Sequence, residues 1–291
     1  MASRTPPLLE PYLRLPHETS LILLSGVLGS SANWLVHRFL SSLLASQSSA
    51  SPDSFNGQDE TIEADLQKHT SVVFVSFLRD YAFWKDGSKR LGLDLDLASR
   101  KGSFIFVDGL TGLFTQSSDR GRRQSVADSS GKRILLAATT DHLRRTLEDA
   151  VAHAQALSPG TQTVLVIDQP DVLLATAGDA MSGQGLRSTI SSLREKVHSC
   201  VITLSADEPL IAVQGTLLEK EHASLALSLA HDAQLIMSLR ILETGTAKDV
   251  SGVLRVTPGG DEETASTSVE DRELLYFIRG DGSVHVFERG Q

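Results

Sequence analysis

The chain has 291 residues, is 41% hydrophobic and 22% charged, and carries a formal net charge of −9. That length suits one large domain or two small ones with a sizeable core, and the acidic balance excludes nucleic-acid binding over the whole surface, leaving only a local basic patch for such a role. The single cysteine, Cys200, excludes an internal disulfide and fits a reducing compartment.

The first 19 residues, MASRTPPLLEPYLRLPHET, place prolines and charges where a signal peptide needs an unbroken apolar segment. They read as an N-terminal extension. No apolar run approaches the ~20 residues that span a bilayer, so a soluble intracellular protein is expected. SLILLSG, Ser20 to Gly26, is a continuous apolar run, as in a strand covered on both faces. A helix follows, with Val36, Leu40, Leu43 and Leu44 on one stripe. The Ser-, Asp- and Gly-rich stretch near 46–69 reads as an insertion. SVVFVSF (Ser71 to Phe77) is a second buried strand, and RDYAFWKDGSKRLGL a short helix that stops near Gly92. SFIFVDG (Ser103 to Gly109) is a third strand, followed by a second insertion near 115–132.

Asp141 to Leu157 is a helix with Leu143, Leu147 and Val151 on one face. A strand opens at Thr163, Ser182 to His198 is helical, and Cys200 to Ala206 is a strand in which the cysteine is a core thiol. Thr216 to Ala230 is a helix presenting Leu218, Leu225 and Leu229. The tail then changes to strands without intervening helices: DAQLIMSLRIL, GVLRVTP and the pair LLYFIRG/GSVHVFE, joined by the hairpin signal Gly280-Asp281-Gly282. The whole reads as one α/β domain over 20–291, a mainly parallel sheet flanked by helices with antiparallel strands at its C-terminal edge.

The turn after the first strand is where a phosphate loop, G-x-x-x-x-G-K-[ST], would stand. Counting from Gly26, the chain has Ser31, Ala32 and Asn33 in place of the second glycine, the lysine and the hydroxyl. Gly26, Gly29, Ser30 and Ser31 still form a turn able to offer N–H groups to an anion. VLVID ends at Asp168, the form of a strand whose terminal carboxylate holds Mg²⁺ in nucleotide enzymes. FIFVD, ending at Asp108, has the same form. Structural hydrogen bonding at a strand end is the plainer reading of both. Basic residues cluster at Arg120, Arg122 and Arg123, at Lys132 and Arg133, and at Arg144 and Arg145, with no aromatic residues interleaved for base stacking. The nine histidines show no metal-ligand spacing.

From Ser20 onward the chain resembles the RecA-like ATPase fold and, more narrowly, the Elongator subunit 6 family. The residues that carry this are LILLSGVLGSSANWLVHRFL, VVFVSFLRDYAFWKDGSKRLGLDLD, FIFVDGLTGLF, VLVIDQPDVLL and ETGTAKDVSGVLRVTP. The resemblance implies a hetero-hexameric ring with Elongator subunits 4 and 5, two copies of each. It further implies tRNA binding, wobble uridine modification by the wider complex, no cofactor of its own, and residence in the cytoplasm and nucleus. Leu78 stands where RecA-type ATPases commonly place a water-polarising Glu, with Asp80 displaced by two residues. Pore-facing loops are expected near 175–187 and 205–215, where Arg187 could reach a tRNA phosphate and Asp207 and Glu208 would repel one. Two alternatives stay open. One is an autonomous RecA/KaiC-like ATPase or nucleotide sensor with a divergent loop. The other is Elongator subunit 5 or 4.

Overall fold

A computed structural model describes residues 5–45, 69–114, 132–242, 247–259 and 270–289. Nearly all of the two insertions read from composition lies outside these residues. Ten strands form one sheet in the order β10-β9-β8-β7-β1-β6-β5-β2-β3-β4. They are β1 (Ser20–Gly26), β2 (Thr70–Ser76), β3 (Phe104–Asp108), β4 (Arg133–Ile134), β5 (Gln162–Asp168), β6 (Ser199–Ser205), β7 (Leu235–Arg240), β8 (Gly252–Pro258), β9 (Arg272–Ile278) and β10 (Val284–Glu288). Strands β7 to β4 in that order pair in parallel. Strands β8, β9 and β10 are antiparallel, the last two joined at the Gly280–Gly282 turn.

The helices are α1 (Asn33–Ala45), α2 (Tyr81–Arg90), α3 (Leu95–Arg100), α4 (Thr111–Phe114), α5 (Thr140–Leu157), α6 (Val172–Thr176), α7 (Gly183–Arg194) and α8 (Leu217–Asp232). Alternation along each parallel strand splits the core into two layers. Ile22, Leu24, Phe74 and Phe106 face α1 to α3, and this layer also takes in Leu9 and Leu13 from the N-terminal segment. Leu21, Leu23, Val73, Val75 and Ile202 face the layer of α5, α7 and α8. Cys200 lies in this second layer, and burial pushes its thiol up to about 12.

Three stretches differ from the expectation, one of them the loop expected over 205–215, where Pro209–Val213 form a π-helical turn. The strand within DAQLIMSLRIL pairs in parallel with β1, Ile22 opposite Leu235, because the α8 crossover immediately precedes it. The loop expected over 175–187 is mostly helical: α6 runs to Thr176, a 3₁₀ turn covers Gly178–Ala180, and Ser182 caps α7 by accepting from the Gly185 N–H. Arg187 therefore stands inside α7.

Candidate functional site

The carboxyl ends of the parallel strands lie along one rim of the sheet. Gly26 and Asp168 stand on that rim with β6 between their strands. The turn after β1 is closed from within. Ser30 Oγ accepts from the Val27 N–H at 3.0 Å and lies within hydrogen-bond distance of the Val27 and Leu239 carbonyls, at 2.7 and 3.0 Å. Gly29 takes a φ of 90°, a left-handed conformation that a glycine adopts without strain. The Leu28 N–H donates to Asp207 Oδ1 at 2.6 Å. A carboxylate of the chain thus sits on a donor of the turn in which a phosphate would be sought. Ser31 is exposed at the turn's far side, and its Oγ accepts weakly from the Asn33 N–H, at 3.3 Å.

Asp168 is 2% exposed. Its Oδ2 accepts from Ser76 Oγ at 2.7 Å and its Oδ1 from Thr203 Oγ1 at 2.8 Å. The carboxylate therefore ties β5 to β2 on one side and to β6 on the other. Burial raises its pKa, opposed by these two hydroxyl bonds. The next residue, Gln169, has a φ of 54°, unusual for a side chain with a Cβ. It is held there by its N–H on Thr203 Oγ1 and by its Oε1, which accepts from Ser205 Oγ. Asp171, also buried, accepts from the Ser205 N–H and faces His222 Nδ1 at 3.9 Å, while His222 Nε2 meets the Ser205 carbonyl at 2.8 Å. Burial raises the pKa of Asp171 as well.

Of the other carboxylates singled out in the sequence, Asp80 caps a helix, Asp108 closes the turn before α4, and Glu208 makes no side-chain cap. Asp80 accepts from the Phe83 N–H at the start of α2. Asp108 accepts from the Leu110 and Thr111 N–H groups. Arg187 pairs with Asp232 at 3.2 Å, joining α7 to the end of α8. The rim so assembled can brace strand ends and cap helices. The sequence does not single out Ser76, Thr203 or Ser205, and it places His222 on a helix with no carboxylate nearby, where the fold brings Asp171 to it. Their signal is positional: the parallel register sets Ser76, Thr203 and Ser205 beside Asp168 or Asp171, and the packing of α8 brings His222 to Asp171. Among the described residues no group of three or more His, Cys, Asp or Glu is placed to hold a metal ion, and no helix is long and apolar enough to cross a membrane.

The profile of the Elongation complex protein 6 family matches residues 62–279. The chain belongs to this family. Among similar proteins, Elongator complex protein 6 of Xenopus laevis is 26% identical over 236 residues, which cover 74% of this chain and 82% of that protein. The Homo sapiens protein of the same name is 22% identical, with the same coverage. The Schizosaccharomyces pombe homolog is 22% identical over 78% of this chain and 82% of its own. A KaiC-like protein from Pyrococcus horikoshii superposes with a TM-score of 0.56 at 14% identity, covering 99% of this chain and 98% of that one. The family's fold here is therefore RecA-like, a mostly parallel sheet with antiparallel strands at the C-terminal edge.

Proposed function

We propose that this chain is a non-catalytic, RecA-like subunit of the Elongator complex. In this reading it builds a hetero-hexameric ring with subunits 4 and 5, and the ring binds tRNA and supports modification of the wobble uridine. It works in the cytoplasm and nucleus. The observation that carries the non-catalytic part is the turn after β1. It lacks the lysine that grips phosphate, and one of its N–H groups is already engaged by Asp207. Phosphoryl transfer rests on positioning and charge stabilisation, and neither the turn nor the doubly bonded Asp168 offers them. Its nucleotide motifs are degenerate, and the frame is kept for assembly.

The rim supports a role in assembly. Leu28 is 86% exposed, and Val213 and Leu217 are each 67% exposed, near the carboxyl ends of β1 and β6. In this reading these exposed apolar side chains meet a neighbouring subunit. Arg187 is 44% exposed and remains the proposed phosphate contact, for which tRNA must compete with Asp232. The test is co-purification of the tagged chain with subunits 4 and 5, paired with ATP turnover of the chain alone. Recovery of both subunits and turnover far below about 1 s⁻¹ is expected. Turnover at or above that rate, lost in Asp168→Asn, supports an autonomous ATPase instead.

A further inference from the structure

A cavity of about 390 Å³ opens between α1, α2 and the β9–β10 hairpin, within the ~300–1,000 Å³ range of small-ligand sites. Its walls carry three kinds of group. Trp34, His37 and Phe83 are aromatic, Arg38 and Arg90 are cationic, and Asp86 is acidic. Phe83 is 38% exposed and has the Arg79 guanidinium 5.3 Å from its ring centroid. Arg38 is 2% exposed and already engaged within the protein. Arg90 is exposed and lies beside the hairpin turn, where a Cβ on Gly282 would be in ordinary contact, 3.6 Å from Arg90 Cδ. His37 is neutral near pH 7, its pKa pushed down to about 4 by burial first and by Arg38 and Arg90 next. On a molecule of net charge −9 this is a local positive field.

We propose that this cavity receives one unpaired nucleotide of an RNA chain, with the base against Phe83, a base N–H donating to Asp86, and the phosphate at Arg90. The inference rests on the tRNA reading above and gives it a site. A bare anion would leave the aromatic wall unused, and an apolar ligand would leave the guanidinium unpaired. A paired base cannot enter, because its edge and both faces are already occupied in the helix. Bases of single-stranded RNA splay out and stack on aromatic rings and guanidinium planes.

The chain has two tryptophans. Trp34 lines the cavity and Trp84 stacks edge-on against Phe83 at 5.2 Å, so intrinsic fluorescence reports on the site. The full chain is titrated with hexauridylate, UMP and inorganic phosphate. Saturable quenching by hexauridylate is expected, with UMP at least tenfold weaker and phosphate without effect. Phe83→Ala and Arg90→Ala should each weaken hexauridylate by roughly tenfold, with unchanged melting temperature. Should Phe83→Ala melt early, the exposed Arg90→Ala still decides. The same variants are assayed for tRNA binding in the assembled complex. Wild-type tRNA affinity in both variants overturns the cavity and leaves the tRNA reading standing. A complex without tRNA affinity overturns both. UMP or phosphate matching hexauridylate also overturns the RNA assignment.

Discussion

Asp168 is a buried carboxylate whose two oxygens each accept from a hydroxyl of a neighbouring strand. Asp168→Ala leaves Ser76 and Thr203 without their acceptor and should cost ~1–3 kcal/mol in denaturant unfolding. Asp168→Asn keeps one acceptor oxygen and sheds the charge, so it should cost less. Its pH dependence has a definite sign. The folded pKa is raised, so the folded state holds the proton more tightly and stability falls as pH rises from 3.8 through the folded value. Asp168→Asn should flatten that fall. His37 works the other way. Its folded pKa of about 4 lies below the ordinary 6.5, so its neutral state stabilises the fold above pH 6.5, and this is lost as pH falls towards 4. The shift corresponds to about 3 kcal/mol, and unfolding of His37→Asn between pH 4 and 7 should lack it. These roles are only partly legible in the sequence. VLVID announces a strand ending in a carboxylate, but the partners Ser76 and Thr203 lie 92 and 35 residues away, and only the register of β2, β5 and β6 brings them together. By sequence alone Asp207 would repel a phosphate. Its bond to the Leu28 N–H has no local pattern, because it joins turns 179 residues apart.

Helices α1 and α2 approach closely at Gly87, where a Cβ would lie 2.2 Å from His37 Nε2. His37 is itself fixed by Ser88 Oγ at 3.1 Å and by Trp84, whose ring centroid lies 4.9 Å away. It cannot step aside, so Gly87→Ala should destabilise by ~1–3 kcal/mol through overpacking, against the gain in helix propensity that alanine brings elsewhere. A thermal melt at or above that of the parent would contradict this packing. At the start of α8, Thr216 and Glu219 form a capping box, and Thr216→Ala should cost about 1 kcal/mol. Elements were the most legible scale. Continuous apolar runs mark β1, β2, β3, β5 and β6, and the i, i+4, i+7 stripes mark α1 and α5, because burial on both faces or on one face writes those periods directly. Leu235–Arg240 shows where this stops. Its burial alternates along the strand, as on a half-covered sheet, and only the α8 crossover gives it a parallel partner.

For the whole molecule, alternating strands and helices followed by strands alone point to a parallel sheet with an antiparallel edge, and local patterns suffice for that. The cavity was not legible at all. Trp34, His37 and Arg38 stand together on α1 and Phe83, Asp86 and Arg90 on α2, but only the fold sets these two helices and a hairpin near the C-terminus around one space. In the proposed function this fold serves as one member of a mixed ring. The most direct test is the native mass, by light scattering, of the chain expressed alone and together with subunits 4 and 5. One discrete assembly with two copies of each chain is expected on co-expression, and a monomer or an insoluble product when the chain is expressed alone. A stable hexamer of this chain by itself would contradict it.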